Sequence, residues 1–321
     1  MRVGVIGAGV MGTNHARVFG GLPNTTMVGI VDPLAEHRAR ATEHAGCRAF
    51  ETLDELVAEG VDAVTIAAPT HLHHEIALAC IARKIHIMVE KPVASTVEEG
   101  REIVSAAARA GVTLMVGHVE RFNPAVAAIK KALSGEDILS IAITRVGPFP
   151  PRMSNVGVVI DLAVHDIDLI RWFTESDIVE VQPQLSSAVA EREDIALLQF
   201  RTASGVLAHI NTNWLTPFKA RSVTVATRQK YIMGDLLTRQ VTECFGFKPD
   251  GSYSMRHLPV SHDEPLRAEL IAFLNAVRAG SAPAVTGDEG VASLEIAIRC
   301  LEHPTRPAAS AERKGPRRVV G

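Results

Sequence analysis

The chain has 321 residues, 47% of them hydrophobic and 21% charged, with a formal net charge of -3. That length calls for two domains, and the composition is that of an ordinary globular protein rather than a disordered one. A slightly acidic chain lacks the broad basic field that holds nucleic acid, and no run approaches the roughly 18 apolar residues of a membrane span. Cys47, Cys80, Cys244 and Cys300 are scattered without a CxxC pair, so neither a disulfide framework nor a zinc ribbon is indicated and a reducing cytosol fits best.

In chain order, strands are expected at residues 2–6, 27–31, 47–50, 63–67, 85–89 and 113–116, alternating with helical patterns, the form of a doubly wound parallel sheet. The opening apolar run is short and broken by glycines, so it reads as the first buried strand and not as a signal peptide. Thr52 with Glu55 and Ser95 with Glu98 have capping-box spacing, and Gly111 stands where a helix would end. Helices are expected at 121–134 and 161–174, then strands at 178–189, 195–201, 206–214, 222–226, 230–233 and 239–245, implying an antiparallel sheet. Two closing helices are placed at 265–279 and 288–302, the second opened by Thr286 and Glu289. The fold class is thus α/β, with a Rossmann domain over 1–119 and an α+β domain over 120–303. The closing helices pack back on the first domain, and a tail at 304–321 lacks periodicity and is expected to be disordered.

GAGVMG places Gly7, Gly9 and Gly12, with Val10 and Met11 between them, between a strand and a helix. Gly7 suits the tight turn, Gly9 the approach of a pyrophosphate and Gly12 the packing of helix on strand. Asp32 ends the second strand about 20 residues beyond Gly12, where a carboxylate bonds the adenosine ribose hydroxyls and repels a 2'-phosphate. NAD is therefore expected over NADP, although His37 and Arg38 stand close in sequence. Ala68, Pro69, Thr70 and His73, from AAPTHLHHE, follow the fourth strand and should line the nicotinamide side of the cleft. His71, His73 and His74 raise the question of a metal, but neighbouring histidines diverge and no carboxylate or thiolate completes the set, so none is expected.

Together with the glycine motif, Asp32, Thr70 and His73, the trio Glu90-Lys91-Pro92 and the pair Asp161 and His165 resemble the Gfo/Idh/MocA oxidoreductases over nearly the whole chain. The resemblance implies a Rossmann domain joined to an open antiparallel sheet, a Lys-Pro peptide that is often cis, and a homo-oligomer formed through the open sheet face. It adds Glu90 and Lys91 to the cofactor site and makes Lys91, Asp161 and His165 the catalytic set. MVGHVERFNP and the segment from Arg145 to Asp168 are similar to the branch that oxidises UDP-N-acetylglucosamine at the 3-hydroxyl. That branch passes the keto sugar to a PLP-dependent aminotransferase for lipid A diamino sugars.

A wheel at about 100° per residue puts Asp161, His165 and Asp168 on one stripe, with Asp166 turned into the apolar arc and bonded to backbone or to an arginine. Asp161 one turn before His165 is placed to hold its tautomer, so His165 is read as the base, with Lys91 bonded to the same substrate oxygen; the reverse assignment stays open. Arg145, Arg152, Lys219 and Arg221 are the cations available for a diphosphate, and Glu120, Arg121 and Asn123 are sugar contacts by resemblance. Three rivals remain. They are the same chemistry on another UDP-sugar, a free sugar or a cyclitol; a non-catalytic nucleotide sensor that tolerates loss of Lys91 and His165; and a metal-dependent hydrolase sensitive to chelators.

Overall fold

The computed structural model describes residues 1–149 and 156–303; Arg152 and the tail lie outside them. The first sheet is built from β1 (Arg2–Ile6), β2 (Thr26–Val31), β3 (Ala49–Phe50), β4 (Ala63–Ile66), β5 (His86–Glu90) and β6 (Leu114–Gly117). Its order is β3-β2-β1-β4-β5-β6 and every pairing is parallel. The helices between these strands are α1 (Val10–Gly20), α2 (Ala35–Ala45), α3 (Leu53–Ala58), α4 (His73–Ala82) and α5 (Val97–Ala110). β4 is buried at all four positions, as a strand covered on both faces must be. Thr52 and Glu55 form the expected capping box, and Gly111 ends α5 in the left-handed region. The box that opens α5 is Thr96 with Glu99, one residue later than the sequence spacing suggested.

The remainder contains α6 (Pro124–Ala132), β7 (Ile138–Pro148), α7 (Val164–Thr174), β8 (Ile178–Ser186), β9 (Ile195–Thr202), β10 (Leu207–Asn213) and β11 (Leu215–Thr227). It continues with β12 (Lys230–Asp235), β13 (Gln240–Phe245), β14 (Ser254–His257), α8 (Pro265–Ala279) and α9 (Gly287–Glu302). Eight strands run β14-β13-β12-β11-β7-β10-β9-β8, antiparallel throughout except for β10 beside β7. β7 and β14 were absent from the sequence expectation, and β7 is the strand that joins the two halves of this sheet. β9 alternates buried and exposed residues, so one face packs on α6 and α7 while Leu197, Leu207, Tyr231 and Met233 stand open on the sheet.

Each sheet has its own buried core, and α9 connects them. Val291 and Leu294 belong to the first core, with Leu266, Leu270 and Phe273 of α8, while Ile296, Ala297 and Cys300 belong to the second. The hydrogen bond from Val116 N to Val285 O fixes this return next to β6. The carboxyl ends of the parallel strands therefore face α7 across one cleft.

Candidate active site

The loop after β1 shows what each glycine does. Gly7 has φ +98°, and a Cβ there would lie 2.6 Å from Ala67 O, so the turn is pressed against the chain leaving β4. At Gly12 a Cβ would meet Gly7 O at 1.7 Å, while at Gly9 nothing lies within 4 Å. Open space beside Gly9, at the uncapped N-terminus of α1, is what a pyrophosphate requires of backbone N–H groups. Val10 and Met11 stay exposed at this mouth. Asp32 accepts from Ala8 N at 2.8 Å and from Leu34 N at 2.9 Å, which holds the ribose-side carboxylate against the glycine turn. Arg38 spends its fork on the carbonyls of Asp32 and Pro33 and on Glu51. The residues present fit NAD.

Ala68, Pro69 and Thr70 border the cleft after β4, but His73 does not reach it. Its ring is buried, with Nδ1 3.0 Å from Pro92 O and Nε2 2.9 Å from Ala68 O. The expected cofactor contact is thus a brace between two cofactor-side loops. Burial holds its pKa below the ordinary imidazole value against the pull of those carbonyls. His74 pairs with Glu102, and among the described residues no three His, Cys, Asp or Glu side chains gather as a metal site.

Glu90 ends β5 buried beside His15 of α1, with Oε1 and Nε2 2.9 Å apart. Burial pushes its carboxyl up, but the His15 hydrogen bond and charge outweigh this and hold it low. The Lys91-Pro92 peptide is cis. Lys91 Nζ donates to Asp161 O at 2.7 Å and lies 3.3 Å from Asp161 Oδ1. Asp161 therefore partners Lys91 and not His165, a correction to the helical wheel. Residues Val159–Ala163 form a π-turn ahead of α7, so a constant 100° step loses phase between Asp161 and His165. His165 Nδ1 is buried with no partner among the described residues. Burial first, then the positive charges of Lys91 and Arg145, push its pKa well below the ordinary value, leaving a neutral imidazole.

The other aspartates of α7 are structural. Asp166 faces the core and receives Arg145 through Nε at 2.9 Å and Nη2 at 2.7 Å, while Arg145 Nη1 reaches Glu120 at 2.8 Å. Arg145 is thus spent on two carboxylates and is no diphosphate ligand. Glu120, expected as a sugar contact, is buried and accepts from Arg145, Arg221 and Asn123. Arg121 bonds both oxygens of Asp168 at 2.7 Å and Glu289 at 2.8 Å. Asn123 caps α6 and donates to Leu236 O at 3.1 Å. Both are buried, with their side chains bonded within the protein. Of the expected cations, Arg221 remains part-exposed, one oxygen of Glu120 at 3.0 Å from Nη1, and Lys219 is exposed.

His118 went unnoticed in the sequence. It follows β6 at the carboxyl edge of the sheet, the one positional signal available, and its ring meets His165 edge to face at 6.1 Å.

Comparisons with known proteins bear on the family and the fold. Residues 1–118 match the oxidoreductase family with an NAD-binding Rossmann fold, and residues 140–232 match the GFO/IDH/MocA C-terminal domain. UDP-N-acetylglucosamine 3-dehydrogenase of Acidithiobacillus ferrooxidans is 30% identical over 287 residues, covering 87% of this chain and 89% of that protein. The chain belongs to the Gfo/Idh/MocA oxidoreductase family. A solved structure of that enzyme has TM-score 0.87 and 28% identity, over 94% of this chain and 96% of the other. Inositol 2-dehydrogenase of Rubrobacter xylanophilus is 33% identical over 225 residues, covering 66% of this chain and 64% of that protein. The family assignment makes this an NAD-dependent oxidoreductase of the sugar and cyclitol dehydrogenase kind. The expected fold class and NAD are borne out. No helix among the described residues is long and apolar enough to cross a membrane.

Proposed function

We propose that the chain oxidises the 3-hydroxyl of UDP-N-acetylglucosamine to the ketone with NAD. The observation that carries the alcohol oxidation is the contact of Lys91 with Asp161 at the carboxyl end of β5, with His165 close enough to feel the Lys91 charge. Bound NAD supplies the hydride acceptor. His165 takes the hydroxyl proton, Lys91 donates a hydrogen bond to the same oxygen, and Asp161 orients Lys91. A lysine whose protons point at Asp161 acts as donor more readily than as base, and an unpaired neutral imidazole is the natural acceptor. The proposal therefore assigns the base to His165.

The 3-hydroxyl and the UDP half rest on the similarity to the Acidithiobacillus enzyme, with Arg221 and Lys219 left to meet the diphosphate. Residues 1–119 bind NAD and 120–303 hold the sugar. A PLP-dependent aminotransferase consumes the ketone in the cytosol, and the exposed apolar face of the second sheet joins copies of the chain. A cyclitol substrate is the second reading. The inositol dehydrogenase relative favours it, and so does the loss of Arg145 as a diphosphate ligand. NADH absorbance is followed with UDP-N-acetylglucosamine or myo-inositol, an aminotransferase and amino donor drawing off the ketone. Turnover of the UDP-sugar is expected; turnover of myo-inositol alone would overturn the substrate.

A further inference from the structure

Two neighbouring rings each have a buried nitrogen without a partner among the described residues: Nδ1 of His118 and Nδ1 of His165. Their centroids are 6.1 Å apart and their planes stand at 85°, so the residue after β6 meets the first turn of α7. That same His118 Nδ1 lies 3.9 Å from Asp168 Oδ2, beyond hydrogen-bond distance. That carboxylate is fixed by Arg121 and Ser293. Each of these nitrogens is desolvated without a hydrogen bond, so two such rings in contact need an explanation.

We propose that His118 and His165 form a proton-sharing pair: the proton that the substrate hydroxyl gives to His165 passes to His118, where Asp168 stabilises the imidazolium. The inference deepens the alcohol oxidation proposed above and rests on it. As the substrate C–H bond breaks with its electron pair toward the nicotinamide, the hydroxyl O–H bond breaks and an N–H bond forms on His165. An N–H bond on His165 then breaks as another forms on His118, so one proton moves and no further oxidant or base is needed. His118 acts through His165 and is a relay residue, not a substrate contact.

The groups facing His118 are Asp168 and His165 from α7, Arg121 from the turn after β6, and Glu90 and Lys91 at the end of β5. Burial first, with Arg121 and Lys91, holds His118 below the ordinary imidazole value, while Asp168 and Glu90 oppose them. His165 has no facing carboxylate of this kind among its main influences and is held well below that value. Both resting rings are neutral, and the Asp168 carboxylate 3.9 Å from His118 sets the direction of transfer.

The test is NMR titration of isotope-labelled imidazoles in the NAD-bound enzyme, run on the wild type, His118→Gln and His165→Gln. Sharing predicts coupled, two-step titration of both rings in the wild type and a single step for His165 in His118→Gln. In turnover of UDP-N-acetylglucosamine, His118→Gln should lower kcat about 10- to 100-fold, with KM for NAD retained, a shifted acid limb and a larger solvent isotope effect. Independent one-step titrations overturn the pair, whether or not that substrate is turned over. A rate loss with an unmoved pH profile and isotope effect overturns it as well. Coupled titration in a wild type inactive on UDP-N-acetylglucosamine supports the pair and defeats only the assigned substrate.

Discussion

Replacing Arg145 by Met separates two roles that a cation near the cleft can have. The side chain is about 2% exposed and places three nitrogens on Asp166 and Glu120 at 2.7 to 2.9 Å. Removing it leaves two carboxylates buried, Glu120 keeping Arg221 and Asn123, and breaking such a pair from one side costs about 3–5 kcal/mol. Against the 5–15 kcal/mol that holds a typical domain, that is a large share. Urea unfolding of Arg145→Met should show that loss, and adding Asp166→Asn and Glu120→Gln should restore most of it, because no buried carboxylate is then stranded. KM for the sugar substrate should change little in the restored triple variant. An unchanged urea midpoint with a raised KM would refute the reasoning and return Arg145 to the diphosphate.

Three further outcomes follow from the same geometry. Gly12→Ala sets a methyl into Gly7 O, so calorimetric NAD binding should be lost, with about 1–3 kcal/mol of stability; normal affinity would contradict the cradle. Glu269 on α8 is fully buried beside Glu90, with both oxygens unpaired among the described residues, and burial raises its pKa well above 4.5. A raised folded value means its contribution is present below about 4.5 and is lost as pH rises through the folded value. Glu269→Gln should therefore gain stability over the wild type in alkali, with the difference vanishing in acid; a constant difference would show that Glu269 is ionised. Since His165 is held well below 6.5, the acid limb of kcat/KM should fall well below the ordinary imidazole range, and a limb at that value would remove His165 as base.

Local rules carried the Rossmann half. Strand-glycine-helix succession, the acid at Asp32 and the Thr52–Glu55 box all act within one unit of the chain, so periodicity and capping suffice to read them. β7 escaped because it carries Ser140, Thr144, Arg145 and Gly147, and it is central only because strands far along the chain flank it. β14 is exposed at all four positions and has no alternation to show. In the site, the Lys91 contact with Asp161 spans 70 residues and the Arg121 contact with Asp168 spans 47, so no local spacing announces either. The helical wheel placed Asp166 toward the core correctly but failed at Asp161, where the π-turn changes the angular step.

The most direct test of the central claim is NADH formation from UDP-N-acetylglucosamine by wild type, Lys91→Met and His165→Gln, with NAD binding measured in parallel. The account predicts turnover by the wild type and a fall of about 100-fold or more in both variants, at unchanged NAD affinity. Turnover that survives both substitutions would contradict it.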